Sequence, residues 1–148
     1  MSFWSSIRIA ASGLAAQRLR LDVISNNVAN AETTRTENGG PYRRQDVVFQ
    51  AITARIPLTP AGLAGQPGTG GAPGGVEVST ITTDDTPGPQ VYDPTHPDAD
   101  ENGYVTYPNV NLVVEMTNML SATRSYEAGL SVIAAVKQMA AKALEIGR

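Results

Sequence analysis

Four carboxylates and the only histidine of this 148-residue chain fall within DPTHPDADENG, residues 93–103. Carboxylate and imidazole groups this close can hold a divalent cation or supply a general base. DADENG matches the first six positions of a calcium loop, with Asp98, Asp100 and Asn102 offering oxygens and Gly103 allowing the sharp turn. The twelfth position of such a loop needs a bidentate glutamate; here it is Asn109, and the flanks are proline-rich or strand-like instead of helical. His96 sits between Pro94 and Pro97 with no nucleophile or oxyanion-donor set to accompany it. The expectation is a solvated acidic turn with an exposed histidine, and a small calcium or metal module is the alternative.

Glycines at 62, 65, 68, 70, 71, 74 and 75 invite a phosphate-loop reading. No Lys-Ser or Lys-Thr pair follows them, and they miss both G-x-x-x-x-G-K and G-x-G-x-x-G. No catalytic, cofactor-binding or metal-ligating residue is assigned, no cofactor or small-molecule substrate is expected, and the chain does not read as an enzyme.

The net charge of −3 argues against nucleic acid as a partner, because neutralising phosphates needs a clustered basic excess. The charge is unevenly placed. Residues 1–44 hold six Arg against three acids, whereas residues 76–111 hold seven acids and neither Lys nor Arg. Without cysteine there is no disulfide framework and no thiolate site. Ser5, Ser6, Arg8, Ser12 and Gln17 interrupt the N-terminal apolar run, so it does not read as a secretory signal peptide, and no window reaches the ~18 apolar residues of a membrane-spanning helix.

Two seams must position everything else. Positions 3, 7, 10, 14, 17, 21, 24 and 28 are apolar except Gln17, which puts Ile7, Leu14, Leu21, Ile24 and Val28 on one helical stripe. The same spacing runs through Leu112, Met116, Met119, Tyr126, Leu130, Ile133 and Leu144. Pro108, Asn109 and Asn111 signal the start of the second helix, and Gly147 its end. Between the seams, residues 42–56, 76–82, 90–92 and 103–107 have β-branched and aromatic character, and eleven of the nineteen residues at 57–75 are Gly or Pro.

The fold class expected is mainly α with a small β-rich insertion, the N- and C-terminal helices packing as an antiparallel coiled coil with the middle segment capping one end. The divisions are 1–34, a β-rich 35–108 with a flexible loop at 57–75, and 109–148. Asn26, Asn27 and Asn30 are poor helix formers at the end of the first helix; they either give polar specificity at a crowded joint or cap a fraying end. Apolar residues beyond the seams, among them Trp4, Val113, Leu120 and Val132, point to association with further chains. Arg8, Arg18 and Arg20 with Phe3 and Trp4 on one helix allow a membrane-surface alternative.

IRIAASGLAAQRLRLDVISNNVANAETT (7–34) resembles the N-terminal signature of the axial proteins of the bacterial flagellum, the rod and hook components. PYRRQ, GYV, PNVN and the EMTNM…RSYEA run narrow the resemblance to the C-type proximal rod proteins, and together they cover nearly the whole chain. The resemblance implies a structural subunit of the basal-body proximal rod in the periplasm, assembling helically to transmit torque and line the export channel. Its implied partners are other copies of itself, other rod proteins, the membrane-ring and export-gate base, and the distal rod. The implied route is the flagellar type III export apparatus, without a cleaved signal peptide. Arg20, Arg124 and Glu127 are candidates for polar register between helices.

Overall fold

A computed structural model describes residues 3–37, 39–54 and 72–146. In chain order the elements are helix α1 (Phe3–Ala29), strands β1 (Gln45–Ala54), β2 (Ala72–Thr83), β3 (Gln90–Tyr92) and β4 (Tyr104–Thr106), and helix α2 (Leu112–Ile146). At 1.5 Å per residue, α1 spans about 40 Å and α2 about 52 Å.

α1 runs through Asn26 and Asn27 and stops at Ala29, just before Asn30. Asn30 donates its side-chain amide to the carbonyl and side-chain oxygens of Asn26, both at 2.9 Å, beside its own backbone N–H, which bonds the same carbonyl at 3.1 Å. α2 opens on Asn111, whose side-chain oxygen accepts the N–H groups of Val113 and Val114. Asn109, the other half of the expected start signal, instead bridges two segments: it accepts from Arg44 N and donates to Asp84 O.

β1 and β2 form an antiparallel hairpin running from Gln45↔Thr83 to Ala54↔Ala72, with irregularities after Val48 and Ile52. β2 begins at Ala72, so residues 72–75 of the expected loop are strand, and the rest of that loop lies outside the described residues. β3 and β4 make a second two-stranded sheet, with the Tyr92 and Tyr104 rings edge-on at 5.3 Å and Val105 fully buried. The turn between them needs Gly103 at φ +79°, where a Cβ would strike the Tyr92 ring at 2.9 Å.

The hairpin does not cap one end of the helices. It lies along α1: Gln45 meets Asn27 near the helix C-terminus, and Val76 N donates to Ser12 Oγ, while Ser12 Oγ donates to Ile9 O. Gly75, at φ +124°, lets the strand pass so close that a Cβ would collide with Ser12 Oγ. The reason is an apolar strand face: Val47, Phe49, Val76 and Val78 are half-buried, and α1 carries a second stripe for them beside the expected seam, with Ala16 and Val23 buried.

On α2 the residues turned inward run 115, 119, 122, 126, 129, 133, 136 and 140, again at alternating spacings of four and three. Met119, Tyr126 and Ile133 belong to this row. Leu112, Met116, Leu130 and Leu144 stand on exposed faces. Few apolar side chains are buried among the described residues: Ala16, Val23, Ile24, Val105, Ala122 and Val136.

Candidate assembly site

Asn27 and Glu115 are both completely buried, from α1 and the first turns of α2. Asn27 Nδ2 donates to Glu115 Oε2 at 3.0 Å and to Gln45 O at 2.8 Å. Its Oδ1 accepts from Gln45 N at 3.0 Å and from the Tyr42 hydroxyl at 2.9 Å. The side-chain amide thus pairs with the β1 backbone as a strand neighbour would, and every donor and acceptor of Asn27 is used. Glu115 Oε1 receives Arg44 Nε at 2.8 Å, and Arg44 Nη1 reaches Asp46 at 3.3 Å. One joint therefore ties α1, β1, α2 and, through Asn109, the segment after β2.

The charges are balanced locally. Burial pulls the Arg44 pKa down, but the hydrogen bond and negative charge of Glu115, with Asp46, outweigh it and raise it. Burial raises the Tyr42 hydroxyl, and Glu115 nearby adds to the effect by opposing a second negative charge. Among the described residues no ion pair involves Arg20, Arg124 or Glu127; the ion pair at the joint is Arg44, just ahead of β1, with Glu115 of α2. Its signal in the sequence was a carboxylate interrupting LVVEM and a doubled arginine in PYRRQ, of which one member turns inward and the other, Arg43, turns out to Asp85.

The three asparagines divide the two roles expected of them. Asn27 is the joint, whereas Asn26 and Asn30 finish the helix end, with Asn26 also reaching the Tyr42 hydroxyl at 3.3 Å. The joint is made within one chain.

The remaining site residues fall on two kinds of surface. Ile7, Leu14, Leu21, Ile24 and Val28 are buried or half-buried along α1, Leu14 against Gly129 of α2. Leu112, Met116, Leu130 and Leu144 are exposed, beside Val113, Leu120 and Val132. Between α2 and the hairpin, whose backbones both approach α1 but not each other among the described residues, runs an apolar groove of about 530 Å³. Ala10, Gly13 and Leu14 lie along it on α1, with Phe49 and Val76 on one wall and Gly129 and Val132 on the other.

The acidic turn is occupied by its own chain. Asp93 accepts from Thr95, which holds its carboxyl below the usual range, and Asp100 accepts from Asn102 N and Tyr104 N. Asp98 accepts from Thr34 and lies 3.7 Å from Arg35, and His96 Nδ1 accepts from Asp98 N. Among the described residues no group of three or more His, Cys, Asp or Glu side chains is placed to hold a metal ion. No described helix is long and apolar enough to cross a membrane.

Residues 7–35 match the family model described as flagella basal body rod protein, and residues 101–146 match the one described as flagellar basal body rod FlgEFG protein C-terminal. The chain is 48% identical to the flagellar basal-body rod protein FlgC of Borreliella burgdorferi over 150 residues, covering 99% of this chain and 98% of that protein. It is 46% identical to FlgC of Bacillus subtilis over 153 residues and 41% identical to FlgC of Salmonella typhimurium over 148, with all of both chains covered in each case. The chain belongs to the FlgC family. FlgC proteins are structural components of the flagellar basal-body rod, and this family member is not an enzyme. The two family models fall on α1 with the turn after it, and on the β4–α2 region, the parts that the polar joint binds together.

Proposed function

We propose that this chain is a proximal-rod subunit whose terminal helices pack as an antiparallel coiled coil and assemble helically with further copies and with other rod proteins. The contacts of Leu14 with Gly129 and of Asn27 with Glu115 support opposed helix directions, because the first partner advances along α1 while the second retreats along α2. Residues 1–34 and 109–148 form the inner coiled-coil part, and residues 35–108 the outer β-rich part. The chain is exported through the flagellar type III apparatus into the periplasm, where it meets the membrane-ring base on one side and the distal rod on the other.

The carrying observation is the full-length similarity at 46–48% identity, which includes both helices and the segment between them. The half-buried seam of α1 holds the chain's own fold, while Leu112, Met116, Leu130 and Leu144 offer apolar faces to neighbours. The test is complementation of cells lacking their own proximal-rod protein with a tagged chain, and imaging of the basal body. The tag should localise to the proximal rod, and Leu14→Asp and Leu130→Asp should each abolish swimming. Normal swimming with both substitutions would overturn the proposal.

A further inference from the structure

Gly13 stands in the middle of α1, where glycine is a poor helix former, yet a Cβ built on it meets nothing within 4 Å. Among the described residues nothing in the chain's own packing calls for a glycine there. Gly129 is different: its Cβ would come within 2.8 Å of Leu14, so its smallness serves the contact between the two helices. Gly13 lies on the groove, with Ala10 beside it and Phe49 and Val132 on opposite walls.

We infer that this groove receives the first three turns of α2 from a second copy of the chain, so that copies join head to tail. This rests on the rod-subunit reading and deepens it. Leu112, Val113, Met116 and Leu120 stand exposed on those turns, and Val113, Met116 and Leu120 share one helical face by their spacing of three and four. The groove runs along α1 from Ser6 to Gln17, also about three turns, or roughly 17 Å. Lengths and polarity agree.

So do the charges. α1 from Phe3 to Arg20 carries Arg8, Arg18 and Arg20 and no acid, and Arg124 adjoins Ser125 on the groove. The proposed occupant follows directly on residues 76–111, with seven acids and no Lys or Arg; Asp84 is tied to the same end through Asn109. A second copy brings its acidic lobe to the basic stretch of α1, a pairing that a two-fold arrangement of like ends would lose. The chain's own first turns of α2 cannot fill this groove, because Asn27 and Glu115 hold the start of α2 at the opposite end of α1. Groove and occupant are different surfaces of one chain, so the contact is head to tail and repeats from copy to copy.

The chain has no cysteine, which makes introduced thiols specific reporters. Ala10→Cys and Met116→Cys are placed in one chain, and isolated basal bodies are oxidised. A ladder of cross-linked multimers is expected from the double variant and monomer from each single one. Basal bodies that contain the chain but give no ladder, or a bond to a protein of another mass, would overturn the groove pairing and leave the rod-subunit reading standing. Absence of even the unsubstituted chain from basal bodies would overturn both. A second variant guards against misfolding: Gly13→Leu should keep or raise helical content by circular dichroism in the purified chain and lose incorporation into the rod. Normal incorporation of Gly13→Leu would overturn the inference.

Discussion

At the scale of single residues, the joint around Asn27 is where one substitution should cost most. Glu115→Ala would leave Asn27 and Arg44 without their shared acceptor in a fully buried place, and removing one partner of a buried charged pair typically costs about 3–5 kcal/mol. Arg44 is partly exposed and can recover water, so the lower end of that range is expected in urea unfolding of the purified chain. Asn27→Leu should be destabilising for the same reason, since it strands the Tyr42 hydroxyl and the Gln45 backbone as well as Glu115. Tyr42 carries a pH dependence. Its folded pKa is raised above the ordinary value of about 10, so its contribution is complete below that pH and is lost as pH climbs toward the folded value. Unfolding followed between neutral pH and strongly alkaline pH should show this loss, and Tyr42→Phe should flatten it.

At the scale of elements, the two helical glycines invite opposite outcomes. Gly13→Ala places a methyl in open space and gains helix propensity, so the purified chain should become more stable by about 0.5–1 kcal/mol. Gly129→Ala gains the same propensity but drives its methyl into Leu14, so no net gain is expected there by thermal melting. The hairpin owes its place to α1. Its half-buried face meets the helix, Ser12 fastens β2, and Gln45 is fastened by Asn27, so a ladder of only two strands gains a support that an isolated hairpin lacks.

At the scale of the whole molecule, few apolar side chains are buried among the described residues and many are exposed. The hydrophobic term is proportional to area removed from water, so most of the apolar surface of α2 contributes only when neighbours cover it. Hydrogen exchange of the purified chain should therefore be uneven. Amides around Asn27, Gln45 and Glu115 should be the slowest, and those near the C-terminal end of α2, where residues 141–145 are all exposed, should exchange fastest. Incorporation into the rod should slow the latter most. Uniform protection along α2 in the free chain would contradict this distribution of stability.

Local pattern alone was sufficient for the two helices, for the start of the second near Asn111, and for the positions of the four described strands within a few residues, because spacing and capping act between neighbours in the chain. It also sufficed for the family, through motifs spread over nearly the whole length. The hairpin's course along α1, the inward row of α2 beginning at Glu115, and the meeting of Asn27, Tyr42, Arg44 and Glu115 were decided only in three dimensions. Both possible rows of α2 carry the same spacing, and they share Met119, Tyr126 and Ile133. What separates them is a carboxylate, which an apolar count rejects and a half-buried arginine 71 residues earlier makes acceptable. Periodicity records which side chains avoid water, whereas a paired buried charge depends on a partner that no local spacing reveals.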